Sequence, residues 1–446
     1  MIWLVDYTHY FIKIDPRLAK CKREYFKIKS FKRHFKIGET APVKTRMFST
    51  GLLRLASILS SNGIETEYLD YITLEKRINE KADFPEIVAF SAVCPTMSDC
   101  ERLAMRIKAI SPMTTTVVGG VHVNLNPNTT KKMFPGFDRV NLGYEYEAAE
   151  NLVGRKLIHK TEKYVDYSLL PLNLSEYGIN TFTHMGCAFN CEYCSDGLSP
   201  KFISSKDGQI SDMKLLLPPK TLVHFFDSCF GYSKAGIHEC CEAIKKTNHD
   251  FLLSCDMRAD LLTPELIDDL VSCGFVEIRL GMESSDQSIL NRNKRTLSSN
   301  AFDEKIKMIR ECSDLYVTLY SVTGLPGTTT DSQKNTVSYC QKLLSEHIVD
   351  EIKCGLYVPY PIEGIDYQNR GIRILSDDLS KYDRQSMPVF ETDLMSASDL
   401  FELYIYTSQK INEAWLSSCG FASYDEIPNF PDYYQEYIFN SYLEKE

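Results

Sequence analysis

Cys187, Cys191 and Cys194 fall within the stretch MGCAFNCEYCSDG (185–197), at C-x3-C-x2-C spacing. Three close thiolates can hold three corners of a [4Fe-4S] cluster, leaving the last iron for a substrate or cofactor. A structural zinc site closes with four ligands. No further Cys or His stands at a standard spacing here, His184 preceding the loop by only three residues. A redox dithiol needs only two cysteines. The chain has 446 residues and 15 cysteines, and its start, MIWLVDYTHYF, lacks the basic region and cleavage site of a secretory signal. A cytoplasmic, reducing setting is therefore expected, in which clustered cysteines point to metal or catalysis rather than to disulfides.

The elements around the loop read as α/β. From 1 to 150 strands alternate with helices: IWLVD (2–6), a helix at 49–63, ETEYLD (65–70), EIVAFS (86–91), a helix at 98–110, TTVVGG (115–120) and DRVNLG (138–143). Such alternation predicts a doubly wound parallel sheet with ligands at the carboxyl ends of its strands. Residues 151–180 read as a linker. A second series runs from 181 to 360: THM, LVHFFD (222–227), FLLSCDMR (251–258), VEIRLG (276–281), YVTLYSVTG (316–324) and EIKCGLYV (351–358), with helices at 264–273, 299–312 and 331–346. Six such units predict a partial (β/α)6 barrel working at its carboxyl-terminal mouth. Residues 361–446, aromatic and acidic with one helix near 397–416, read as a small C-terminal cap on the substrate side.

The cysteine spacing, with Tyr193 just before the last cysteine, resembles the radical S-adenosylmethionine (SAM) superfamily. Further landmarks follow in order over roughly 181–367. HFFDSCF (224–230) resembles the end of the second barrel strand, and the resemblance gives Asp227 the methionine amino group. SCDMRADLLTPELIDDLVSCGFVEIRLGMESSDQSIL (254–290) resembles the third and fourth strands. It places Arg258 toward the SAM carboxylate or the substrate, and Glu283 and Ser284 near the ribose. VTGLPGTTTDS (322–332) resembles the glycine motif near adenine, with Gly324 in it and Thr328 where relatives often carry Glu. YVPYPIEGIDY (357–367) resembles the segment that closes the barrel. The implied chemistry is reductive cleavage of SAM at the cluster, a 5′-deoxyadenosyl radical, and hydrogen abstraction from an unactivated carbon. A low-potential donor of flavodoxin or ferredoxin type would supply the electron.

FPEIVAFSAVCPTMSD and VVGGVHVNLNP (117–127) resemble the cobalamin-binding domain fused to many of these enzymes. Gly119 and Gly120 would let backbone approach a ligand closely. The D-x-H-x2-G ligand motif is absent, Asp6-x2-His9 being a near miss. In LGYEYEAAENL (142–152), Glu145 stands where relatives carry glycine, so a longer side chain is expected to fill the ligand-facing turn.

Two outcomes for a substrate radical follow. Without cobalamin, a thiol returns a hydrogen atom, and Cys354 on the sixth strand is the candidate. Its position resembles the donor of radical SAM peptide epimerases, so Cα epimerisation of a ribosomal peptide is the favoured reading. With cobalamin as a second cofactor, the enzyme is a C-methyltransferase acting on a peptide or small natural product. An electron-transfer iron–sulfur protein would not need Arg258, Glu283 or Gly324. A second triad of the kind found in tRNA methylthiolating relatives is not formed by Cys21, Cys94 and Cys100.

Net charge of −10 argues against nucleic acid as a partner. No apolar run is long enough for a membrane helix. AKCKREYFKIKSFKRHFK is the basic exception, read either as a solvated helix or arm or as a dock for an acidic leader peptide or carrier protein.

Overall fold

The computed structural model describes residues 1–7, 14–37, 48–159, 165–171, 178–198, 202–203, 205–293 and 297–428. Two parallel sheets organise them. The first contains β1 (Ile2–Tyr7), β2 (Thr66–Asp70), β3 (Ile87–Ala92), β4 (Thr115–Gly119) and β5 (Arg139–Val140), in the order β2-β1-β3-β4-β5. The order reverses at β1, as in a doubly wound sheet. Side chains alternate between two buried layers. Leu4, Ala89 and Val117 face the helices Thr50–Ser61 and Glu145–Val153, and Trp3, Val5, Val88, Phe90 and Val118 face Tyr71–Asn79 and Met97–Ile110. Strands buried on both sides read as continuous Val/Ile/Leu-rich runs, which is why they were legible.

The second sheet runs in chain order from one edge to the other. It begins at β6 (Ile179–Thr181) and continues after the short antiparallel pair β7 (His184–Met185) and β8 (Phe202–Ile203). Its other strands are β9 (Leu222–Phe225), β10 (Leu252–Met257), β11 (Phe275–Glu283), β12 (Tyr316–Thr323) and β13 (Glu351–Leu356). Every neighbouring pair is parallel, and β6 and β13 are the open edges of a partial barrel. The first strand therefore lies at 179–181, across the boundary drawn between linker and barrel. THM instead leads into the β7–β8 pair that carries the cysteine loop.

One face of this sheet packs on the helices Lys234–Lys246, Pro264–Ser272, Ser299–Cys312 and Thr330–Ser345. The helix Ala397–Ser418, read as part of a cap, lies in the same outer layer against Thr330–Ser345 and β13. Above it, β14 (Ile372–Ile374) and β15 (Phe390–Thr392) pair antiparallel.

The basic N-terminal segment is the helix Pro16–Ile37, and it belongs to the second sheet. It lies along β13 and Ala397–Ser418. Asn412 Nδ2 donates to Cys21 O at 2.7 Å, and Phe31 stacks edge-on to Phe421 with centroids 4.9 Å apart. Its cations reach into the barrel: Arg33 Nη1 is 2.9 Å from Glu277, Lys29 Nζ is 3.3 Å from Glu351, and Lys36 Nζ is 2.6 Å from Asp350. Tyr25 donates to Glu351. Much of the charge expected to greet an acidic partner is thus spent on the barrel's own acids. Among the described residues, no helix is long and apolar enough to cross a membrane.

Candidate active site

The cysteine loop hangs from the mouth of the second sheet and is pinned from several sides. Asp227, just past β9 and 1% exposed, accepts from Thr183 Oγ1 at 2.6 Å, from His184 N at 2.7 Å and from Thr183 N at 3.1 Å. Those bonds fix the strand entering the loop. The carboxylate expected to take a methionine amino group thus holds the Thr183 hydroxyl and the backbone of Thr183 and His184. Tyr232 donates to the carbonyls of Met185 and Gly186, the latter at 2.7 Å. Beyond the second cysteine, Arg370 Nη1 donates to Glu192 O at 2.6 Å and pairs with the Glu192 carboxylate at 3.3 Å.

Within the loop Cys187 is buried, Cys191 half-buried and Cys194 exposed. Cys194 N donates to Cys191 O at 3.1 Å, closing the C-x2-C turn. Burial raises the Cys187 and Cys194 thiols, and the neighbouring thiols of the loop add to the rise. Among the described residues no group of three His, Cys, Asp or Glu side chains surrounds a single-ion site. Cubane ligands bind three different irons, so three thiols on one loop need not converge on a single point to hold a cluster. Arg258, beyond β10, adds positive charge there. Its Nη1 is 4.0 Å from Cys191 Sγ, its guanidinium lies 4.0 Å from the centroid of Phe189, and Asp260 orients it at 2.7 and 2.9 Å.

The other sequence candidates divide. Glu283 ends β11 at φ +66°, beside a register shift against β12. Ser284 turns away from the mouth, its Oγ 3.3 Å from Thr336 in the outer helix layer. Tyr193 packs on the apolar cluster of Leu325, Tyr357 and Phe390. Gly324 has φ +86°, and a Cβ there would meet Leu400 at 3.3 Å, so glycine serves the backbone turn and that packing.

Cys354 is on the wrong side of its strand for a lumen donor. β13 alternates Glu351, Lys353 and Gly355 with Ile352, Cys354 and Leu356. The first set faces the lumen, because Glu351 meets Tyr25 and Tyr316 there. Cys354 instead contacts Thr323 Oγ1 at 3.5 Å and packs on the cluster of Leu18, Phe401, Tyr404 and Ile405. Burial pushes its thiol up to about 12. Period-two counting in EIKCGL carried this information.

The same counting identifies a polar lumen that the motif reading passed over. His224, Ser254, Asp256, Glu277, Arg279, Tyr320 and Lys353 sit on inward positions. His224 Nδ1 is 2.9 Å from Ser254 Oγ, and its Nε2 is 3.0 Å from Asp256. Arg279 pairs with Glu277 at 2.9 Å, and Thr318 Oγ1 donates to Glu277 at 3.1 Å. Burial would raise the Glu277 carboxyl, but Arg279 and Arg33 hold it well below its ordinary range. Burial, with Arg279 beside it, keeps the His224 imidazole below its usual value.

The carboxyl edge of the first sheet turns toward this mouth. Tyr7 and Cys94 share a buried cluster with Val358, Leu379 and Tyr382 from the segment after β13. Asn126 Nδ2 donates to Pro361 O at 2.9 Å, and Glu363 accepts from Thr129 N at 2.6 Å. Gly120 has φ +112°, and a Cβ there would lie 2.5 Å from Ala92 O, so the close approach is to β3. Glu145 does not fill the edge: its side chain pairs with Arg54 on the helix Thr50–Ser61. Asp6 is likewise structural, accepting from Ser49 N at 2.7 Å and Tyr68 Oη at 2.5 Å. His9 lies outside the described residues. His122 is buried, 3.4 Å from Asn126 Nδ2, and burial lowers it to about 4. The described edge is small and apolar, with Val121 exposed, which suits the flat face of a corrin ring.

Comparison with known proteins agrees with this layout. The B12 binding domain family matches residues 40–153. An uncharacterized methyltransferase of Pyrococcus horikoshii is 22% identical over 64% of this chain and 69% of its own length. The anaerobic magnesium-protoporphyrin IX monomethyl ester cyclase of Rubrivivax gelatinosus is 22% identical over 81% of this chain and 73% of its own. Among solved structures, the radical SAM methyltransferase TsrM of Kitasatospora setae, with tryptophan and a SAM analogue bound, aligns with TM-score 0.63 at 16% identity, covering 90% of this chain and 88% of that one. The cobalamin-dependent radical SAM enzyme OxsB, with aqua-cobalamin and SAM bound, aligns with TM-score 0.53 at 14% identity, covering 82% of this chain and 54% of that one. These alignments show the shared fold.

Proposed function

We propose that this chain, which has the two-sheet fold of the cobalamin-dependent radical SAM enzymes, is itself such an enzyme and transfers a methyl group to carbon. The observation that carries the reading is the convergence of both carboxyl edges on the segment after β13, with the pinned cysteine loop at the same mouth. Cys187, Cys191 and Cys194 would hold a [4Fe-4S] cluster, and the edge formed by Tyr7, Ala92, Gly120 and Val121 would carry the corrinoid. When bound, these groups supply a 5′-deoxyadenosyl radical and a transferable methyl. The protein's own task is to position and exclude. Asp227 and Tyr232 fix the cysteine loop. Arg258 sets a positive charge beside the cluster sulfurs, where such neighbours tune a metal group's potential. The segment carrying Tyr360 and Tyr382 keeps water from the mouth. A low-potential flavodoxin or ferredoxin would deliver the electron.

The helix-side position of Cys354 weighs against epimerisation by a thiol donor. The reading is tested by metal analysis and labelling. Protein purified without oxygen from cobalamin-fed cells is expected to hold about four irons and about one cobalt per chain. It should also move label from methyl-deuterated SAM to an acceptor carbon. Four irons without cobalt, or deuterium entering from solvent with no methyl transferred, would overturn it.

A further inference from the structure

The lumen holds more positive charge than its own acids balance. Lys353 stands midway along β13 on the inward face, with its Nζ 5.7 Å from the Tyr320 ring centroid. Its side chain is reached by solvent, yet burial pushes its ammonium down to about 8. Since Lys353 sits on an inward position, its exposure means that the lumen is open to solvent at this level. The next inward position toward the mouth is Gly355, where an added Cβ would meet nothing within 4 Å. Across the chamber, the helix Pro16–Ile37 contributes Lys22, whose Nζ is 2.8 Å from Gln385 Oε1. Arg384, next in the chain to Gln385, acts electrostatically on both lysines.

The nearby acids are already committed. Glu351 accepts from Tyr25 and Tyr316 and pairs with Lys29. Asp383 accepts from Gln385 N at 2.5 Å, Ser386 N at 2.9 Å and Ser386 Oγ at 2.8 Å. Among the described residues, Lys22, Lys353 and Arg384 have no carboxylate within ion-pair distance. Lys22 is half-buried and Lys353 and Arg384 are exposed, with Asp383 and Glu351 acting on the two lysines only from beyond that distance; a recess lined mainly by one sign of charge gathers ions of the other.

We propose that Lys353, Lys22 and Arg384 bind an anionic group of the substrate, a carboxylate or phosphate, in the chamber between β12, β13 and the helix Pro16–Ile37. The inference rests on reading the lumen as the substrate chamber of the proposed enzyme. Three donors from separate elements would seize the anion by charge-assisted hydrogen bonds and point the rest of the molecule to the mouth.

The test is calorimetric titration of the cluster- and cobalamin-loaded chain with 4-phenylbutyrate, phenyl phosphate and neutral 4-phenylbutyramide. At least one anion should bind about 10- to 100-fold more tightly than the amide, the range expected for a hydrogen bond to a charged group. Whichever anion wins distinguishes carboxylate from phosphate. Lys353→Met and Lys22→Gln should each erase most of the preference. Lys353→Met should melt no lower than the parent, since it removes a charge that Lys29, Arg279 and Arg384 repel. Equal binding of acid and amide, no saturable binding of either anion at millimolar concentration, or a preference that survives both substitutions would overturn the proposal. Loss of cobalt from the variants would also overturn it, by assigning the charges to the corrinoid's own phosphodiester. A parent chain that prefers the anion but takes up no iron would defeat the radical reading and leave this one standing.

Discussion

In the first sheet, Leu4, Ala89 and Val117 face one helix layer and Trp3, Val5, Val88 and Phe90 face the other. In the second, Val223, Leu253, Ile278 and Leu319 face helices, while His224, Ser254, Glu277, Arg279 and Lys353 face one another. The first sheet is a filled sandwich whose chemistry is confined to its carboxyl edge. The second keeps one face polar and charged along its strands, buried at Ser254, Glu277 and Glu351 and open at Lys353. The floor of that face is balanced by the helix Pro16–Ile37, and its middle is balanced incompletely. Parallel strands thus serve as a shelf in one half of the chain and as a wall in the other.

The sharpest way to separate shelf from wall is to remove the cysteines. Cys187→Ala, Cys191→Ala or Cys194→Ala should abolish SAM cleavage and most bound iron, while bound cobalt, held at the other edge, remains. Parallel loss of cobalt and iron would break the comparison. Next in size is the floor of the wall. Arg33→Met leaves the fully buried Glu277 with Arg279 alone and should cost about 3 kcal/mol of unfolding free energy, read from the denaturant midpoint. No loss would mean that the helix lies on the barrel without balancing it.

Acid should find the wall before the shelf. The folded-state pKa of His224 is depressed below 6.5 and that of Glu277 below 4.5. Stability from groups of this kind is present above their unfolded values and is lost as pH falls through the folded ones. Hydrogen exchange should therefore quicken in β9–β11 on descending through pH 6.5, and further below 4.5, ahead of β1 and β3; the helix Val121–Leu125 beside β4, where His122 is likewise lowered, should respond over the upper part of the range. A smaller effect is expected from Asp227→Asn. It costs about 1–3 kcal/mol by disturbing bonds to Thr183 and His184, and it lowers iron occupancy without abolishing it. Smallest is Cys354→Ala, about 1 kcal/mol of lost packing with SAM cleavage unchanged. Loss of turnover there, in a folded protein, would restore the thiol-donor reading.

What the sequence made legible follows from the same contrast. The strands of the shelf and the outward residues of the wall are apolar runs, so their positions were read to within a few residues. β6 was missed because Ile179–Thr181 is too short to carry a period. The helix Pro16–Ile37 was visible as a charge run, but its partners at Glu277, Asp350 and Glu351 lie hundreds of residues away, and local sequence carries no sign of them. Asp227 was singled out for the amino group of a methionine. Its task, holding the backbone of Thr183 and His184, is a tertiary fact. Cys354 and Lys353 are the instructive pair. Adjacent in sequence, they differ by one step of the pleat, and a motif comparison that ignores parity can choose either.

The placement of the helix Pro16–Ile37 also bears on how the molecule comes into being. This helix leaves the ribosome before either sheet is complete, and its partners in β11 and β13 emerge hundreds of residues later. Until they arrive, a ladder of lysines and arginines stands without counterions. Until the helix docks, the newly made barrel has an acidic, uncapped floor. The two halves therefore cannot be cut apart near residue 150 as independent modules. A fragment beginning at β6 would lack its floor, and one ending at the helix Glu145–Val153 would carry a cationic strand of someone else's wall. Assembly of the second sheet waits on a piece made earlier and stored, so the long-range fit of that one helix is a checkpoint on whether β11 and β13 have been made.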